Sequence, residues 1–137
     1  MLLTRRGLTQ CALCAIMGFA AEEVKAEAPP TATAGIKRTI LHQLDGPAPG
    51  YATVMVLAEV EAGATVARHT HPGIESAYTV EGGGILSIDG QPELHTKPGS
   101  VFQVPADTPH FFKNGDQKTQ LQLTLVVEKG KPLASPA

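Results

Sequence analysis

Turn-forming residues punctuate this chain every eight to twelve positions, and that spacing constrains its fold more than any other feature. Asp45-Gly46-Pro47, Ala62-Gly63, Pro72-Gly73, Gly82-Gly83-Gly84, Asp89-Gly90, Pro98-Gly99, Pro105 and Asn114-Gly115 divide it into short apolar runs. Gly and Pro break helices and begin or end strands, so helices of ordinary length have no room here. No stretch after residue 35 repeats with the 3.6-residue period of a helix. The pattern predicts strands over residues 37–43, 51–60, 66–71, 75–80, 84–88, 101–104, 110–113 and 119–128. Asp89-Gly90 is a hairpin signal, because a tight turn there needs positive φ. The expected class is all-β, an antiparallel sandwich or small barrel.

Composition agrees. The 137 residues suit one domain, and 42% hydrophobic content with 18% charged residues suits a packed core. Aromatic residues make up only 4% and Trp is absent, so that core must come from Val, Ile, Leu and Ala. A formal charge of −2 announces no basic surface for nucleic acid.

Residues 1–20 read as an export signal rather than part of the domain. Arg5 and Arg6 precede an uncharged apolar stretch from residue 11 to 21, and Gly18-Phe19-Ala20 offers a small-residue cleavage site after Ala20. The apolar run is about half of the ~20 residues that a membrane-spanning helix needs, so no permanent span is expected. Thr4-Arg5-Arg6-Gly7-Leu8 resembles a twin-arginine signal, with an ordinary signal peptide as the alternative. Cleavage would remove two of the 11 basic residues, none of the 13 acidic ones, and both cysteines. Cys11 and Cys14 form a C-x-x-C inside the apolar stretch, where a redox or metal role is not expected. A cysteine-free mature chain suits a periplasmic or secreted protein. Residues 21–35 look like a spacer, 36–128 like the β domain, and 129–137 like a C-terminal tail.

His69 and His71 are two apart, so on a strand both side chains share a face, and Glu75 follows past the Pro72-Gly73 break. Two imidazoles and a carboxylate on one wall form part of a metal site, although paired histidines also occur on strand surfaces without function.

The spacing Gly63, His69, His71, Glu75, Gly82 is followed after sixteen residues by Gly99, Pro105, Asp107, His110, Asn114. These two runs resemble, in order and spacing, the paired signature motifs of the cupin family. Asp107 departs from the pattern, standing where the family usually places Gly. The resemblance spans most of residues 36–128 and implies a small jelly-roll barrel in which His69, His71, Glu75 and His110 bind one divalent metal ion. It also implies a homodimer. Three imidazoles and a carboxylate suit Fe, Mn, Ni, Co, Cu or Zn. A six-coordinate ion would keep two positions for water or for a chelating pair of substrate oxygens.

Other residues carry weaker expectations. Phe112, two after His110, should share its inward face and line a substrate pocket or pack in the core, with Gln103 and Tyr51 as candidate polar contacts whose direction strand parity alone does not fix. His42 and His95 fall outside both motifs, Arg68 should face solvent, and Pro105 and Asn114 look structural. The reading that follows is a metal-dependent oxygenase-type enzyme acting on a small chelating organic molecule. The alternatives are a non-catalytic periplasmic binding or sensing protein and a site filled with zinc for stability alone. Other reactions of the family (decarboxylation, isomerisation, lysis) share the fold and ligands, so the choice among them rests on analogy.

Overall fold

Ten strands and no helix make up residues 34–137, the part of the chain that this computed structural model describes. The strands are β1 (Ile36–Asp45), β2 (Tyr51–Val60), β3 (Thr65–Thr70), β4 (Gly73–Glu81) and β5 (Gly84–Ile88), then β6 (Leu94–His95), β7 (Val101–Val104), β8 (His110–Asn114), β9 (Thr119–Glu128) and β10 (Ser135–Pro136). The export signal and most of the spacer lie outside the described residues. Among those described, no helix is long and apolar enough to cross a membrane.

The strands form two five-stranded sheets, ordered β1-β2-β9-β4-β7 and β10-β3-β8-β5-β6, in which every pairing is antiparallel. Each sheet turns one face to a shared interior, the jelly-roll arrangement that the turn spacing and the family resemblance anticipate. In β2 and β9 every second side chain is buried: Ala52, Val54, Val56, Ala58 and Val60 against Leu121, Leu123, Leu125 and Val127. Val54, Val56 and Ala58 interlock with Leu121, Leu123, Leu125, Val127 and Ala77 of β4 into one apolar cluster, and Leu86, Ile88, Val104 and Phe112 build a second around Val60. Trimming one such leucine to alanine costs about 2–5 kcal/mol.

Most strand bounds agree with the expectation from sequence, and the departures have local causes. β1 extends to Asp45 because it pairs with β2 along its whole length, absorbing a bulge between Ile40 and His42. β4 starts at Gly73, where a Cβ would stand 1.8 Å from the Val126 carbonyl oxygen. Only glycine lets the two backbones approach so closely, and that approach sets Glu75 opposite Leu125. At the Asp89-Gly90 turn the Gln91 amide donates to the Ile88 carbonyl and Gly90 takes φ 77°, but pairing resumes only at Leu86 and Leu94. The segment assigned to a C-terminal tail carries β10, which pairs with β3 at His69 and Thr70.

A polar knot ties the sheets together at one end of the barrel. The buried Asn114 amide nitrogen reaches the carbonyls of Val60, Glu61 and Gln117 at 2.9, 2.8 and 2.9 Å. Its carbonyl oxygen accepts from the Thr119 hydroxyl at 2.6 Å, and that hydroxyl accepts from the Gly83 amide at 2.7 Å.

Candidate metal centre

His69 comes from the end of β3, His71 from the residue after it, Glu75 from the start of β4 and His110 from the start of β8. These stand away from the Asn114 knot, beside an open cavity inside the barrel. One potential donor atom from each of the four lies within 4.8 Å of all the others. An ion with bonds of about 2.1 Å gathers its donors over a similar span. His71, Glu75 and His110 are buried, at 7%, 6% and 3% exposure.

The imidazoles are held in one tautomer by backbone carbonyls. His69 Nδ1 donates to Ala67 at 2.7 Å, His71 Nδ1 to Leu133 at 2.7 Å and His110 Nδ1 to Thr108 at 2.9 Å. A carbonyl only accepts, so each Nδ1 carries a proton, and in the neutral ring each Nε2 keeps a free lone pair. Nδ1 anchoring of this kind is how ligand histidines are oriented toward a metal.

His71 Nε2 lies 2.7 Å and His110 Nε2 3.4 Å from Glu75 Oε2. Neither contact has the alignment of a hydrogen bond, and both buried nitrogens lack a hydrogen-bond partner. Buried polar atoms are rarely left so, and a cation shared by the cluster resolves both vacancies at once. The donor set therefore fits a divalent ion.

Electrostatics point the same way. Burial would raise the pKa of Glu75, yet the His110 and His71 rings hold it at about 2, so it stays a carboxylate. Burial, helped by the nearby His110 ring, lowers His69 to about 4 and keeps it neutral. Burial also acts to lower His110, but the Glu75 carboxylate and the Thr108 carbonyl outweigh it and raise the value. The cavity beside this cluster is open to solvent, and its wall is mostly aliphatic and aromatic.

A profile of the cupin domain matches residues 56–128, which contain all four cluster residues. The chain belongs to the cupin family. No curated protein sequence matches this cupin. Among solved structures it is similar to the DMSP lyase DddQ from Ruegeria pomeroyi, with TM-score 0.64 and 18% identity over 82% of this chain and 57% of that one. An uncharacterised conserved protein with a double-stranded β-helix domain from Klebsiella pneumoniae gives TM-score 0.60 and 17% identity over 83% and 93% of the two chains. An RmlC-like cupin from Shewanella frigidimarina gives TM-score 0.58 and 20% identity over 75% and 86%. At these identities the likeness is one of fold. The cupin spans 44% and 57% of the two DMSP lyase chains it resembles.

Other residues singled out from sequence divide by strand parity. Phe112 is buried, packs in the second apolar cluster and lines the cavity. Gln103 does not line it: Phe102 and Val104 take the inner face of β7, and Gln103 turns outward to donate to the Ser76 hydroxyl at 3.0 Å. Tyr51 is likewise displaced from the pocket, because Ala52, Val54 and Val56 occupy the inner face of β2 and leave Tyr51 outside. His42 and His95 are exposed and away from the cluster. Arg68 faces solvent and grips Asp89 with both guanidinium nitrogens. Asp107 has φ 55°, the one left-handed non-glycine among the described residues, and its amide donates to the His71 carbonyl at 2.9 Å.

Two contributors escaped the sequence reading. Leu133 supplies the carbonyl that orients His71 and also lines the cavity. Arg38 of β1 lines the same cavity. Its alternation with Ile36, which packs on the core, was the only available signal.

Proposed function

We propose that this cupin is a divalent-metal-dependent oxygenase acting on a small organic molecule with a chelating pair of oxygens. The observation that carries the reading is the anchoring of all three imidazoles through Nδ1, which leaves three Nε2 atoms available as donors in one cluster with the Glu75 carboxylate beside an apolar cavity.

His69, His71 and His110 through Nε2, and Glu75 through a carboxylate oxygen, would hold the ion. When bound, such an ion would polarise substrate oxygens and, if redox-active, exchange electrons with dioxygen. The chain's own residues do the rest. Backbone carbonyls fix the rings, the apolar wall keeps water from the cluster, and Glu75 brings the charge of the filled site to about +1. The cavity's polar side chains are these four ligands and Arg38, a permanent cation. That inventory suits chemistry needing no separate acid–base pair, whereas a lyase or isomerase must move a proton on its substrate. The same inventory favours a second reading, a binding or sensing protein that holds its ligand on the metal without turnover.

Metal analysis of protein taken from its native compartment, followed by oxygen-uptake assays with a catechol and a β-diketone, tests the proposal. A bound redox-active metal with substrate-dependent oxygen uptake supports it. A retained ligand without uptake favours the binding protein, and a chain that takes up no divalent metal removes both readings.

Export to the periplasm and assembly as a homodimer complete the proposal. The first is supported by Arg5-Arg6 ahead of a short apolar stretch. The second is supported by Tyr78 and Val101, opposed across β4 and β7 on the outer sheet face and 48% and 70% exposed.

A further inference from the structure

We infer that the cavity takes an amphipathic organic acid, with its carboxylate on Arg38 at the mouth and its apolar body against the inner wall. The inference deepens the proposed function and rests on reading the cavity as a ligand site.

The register of β1 turns Arg38 inward. Arg38 stands opposite Ala58 of β2, and opposed residues of an antiparallel pair project to the same face. Ala58 is 5% exposed and belongs to the core, and Ile36, two residues before Arg38, packs on the core as well. Arg38 remains exposed overall, so it stands at the mouth while His71, Glu75 and His110 lie deep.

Five of the eighteen residues lining the cavity are polar or charged, and four of those are the metal-ligand cluster. Arg38 is the fifth, and no carboxylate among the described residues pairs with it. Both arginines among the described residues can be compared with the carboxylates there: Arg68 has Asp89, whereas Arg38 has none of them within ion-pair distance. Crowding around its charged end lowers its pKa by desolvation, and the Glu75 carboxylate acts the other way. A guanidinium stays protonated regardless, so a ligand anion is its natural complement, and its planar fork matches a carboxylate bidentately.

The remaining wall decides what kind of anion. Phe102, Phe112, Leu123 and Leu125 line the cavity with hydrocarbon. A small inorganic anion or a sugar would leave that surface unused and lose its own water, whereas an alkyl or aryl acid covers it. With an ion bound, the site and Arg38 together carry about two positive charges, which again favours an acid.

Octanoate, with octanamide as its uncharged twin, is the probe. Binding to the full chain is measured by calorimetry, metal-free and zinc-loaded, in native, Arg38→Gln, Arg38→Lys and Arg68→Gln forms. Octanoate should bind both metal states. Arg38→Gln should weaken it by about ten-fold or more, the usual cost of losing a charged hydrogen-bond partner. Arg38→Lys should recover part of the loss, Arg68→Gln should change nothing, and octanamide should not distinguish native from Arg38→Gln. Failure of octanoate to bind at millimolar concentration, or equal binding to native and Arg38→Gln, overturns the inference. Arg38-dependent binding to a chain that takes up no zinc would sink the metal reading and keep the inference. Binding confined to the zinc-loaded form and indifferent to Arg38 would put the carboxylate on the ion, which keeps the metal reading and overturns the inference.

Discussion

His71 and Leu133 are 62 positions apart in the chain, and one hydrogen bond from His71 Nδ1 to the Leu133 carbonyl joins them at 2.7 Å. The C-terminal segment therefore helps to aim a candidate ligand. A chain ending at Pro132 should keep its β-sheet circular dichroism but lose roughly ten-fold or more in zinc affinity, the range seen when outer partners of ligand histidines are removed. Unchanged affinity in a zinc titration would show that the Leu133 carbonyl is dispensable.

The four clustered side chains separate from the remaining histidines by substitution. His69→Ala, His71→Ala and His110→Ala should each lower metal occupancy sharply, and His42→Ala and His95→Ala should leave it unchanged. Elemental analysis of the purified variants reads the result. Full occupancy in His110→Ala would take the second motif out of the site.

Asp107 should prove a turn residue. Its φ of 55° is strained for any residue with a Cβ, by about 1 kcal/mol, while glycine loses more backbone entropy on folding. Asp107→Gly should therefore change stability by no more than about 1 kcal/mol and leave metal affinity intact. The His110 Nδ1 proton already goes to the Thr108 carbonyl, so Asp107 is not needed to orient that ring. A marked affinity loss on metal titration would refute this assignment.

Acid should destabilise the metal-free protein in two stages. His69 titrates at about 4 when folded against 6.5 ordinarily, so the unfolded chain binds the proton first and stability falls between pH 6.5 and 4. Glu75, at about 2 against 4.5, adds a loss as pH falls from 4.5 toward 2. His110 works oppositely: its raised value contributes stability that is present below 6.5 and lost as pH rises through the folded pKa. Metal loading just above pH 6.5 should consequently expel a proton, since the ligand form of His110 is neutral. Thermal melts across pH check the first statement and calorimetry in buffers of different ionisation enthalpy the second. A metal-free melting temperature that holds steady from pH 6.5 to 4 would contradict the assignment of His69.

Export can be tested without any structure. Changing Arg5 and Arg6 to Lys keeps the positive charge but should stop transport if the twin-arginine route is used. Undiminished protein in the periplasmic fraction after that change would indicate the ordinary signal-peptide route.

The parts of this molecule visible in its sequence are those written locally. β2 and β9 could be read to the residue, because β2 is a long apolar run and β9 largely alternates polar with apolar residues, each closed by turn residues at both ends. The ligand cluster was legible because two spaced motifs specify it. Tyr51 and Gln103 were misplaced for one reason: alternation shows that neighbours face opposite ways but not which way is inward, and register alone settles that. Arg38 stayed hidden because its inward direction depends on pairing with Ala58, twenty positions later. β10 stayed hidden because a Pro-containing segment two residues long has no periodicity, and only its partner β3 makes it a strand.

The Asn114 knot gives the two ends of the barrel unequal compliance. Around Asn114, Thr119 and Gly83, opening the sheets means breaking several buried hydrogen bonds together, so amide exchange there should track global unfolding. Among the described residues the metal-cluster end is held by separate links instead, such as those from His71 to Leu133 and from the Asp107 amide to the His71 carbonyl, beside the two-residue strand β10. Breathing should therefore concentrate at the rim of the cavity, and that rim can change in sequence without loosening the Asn114 knot.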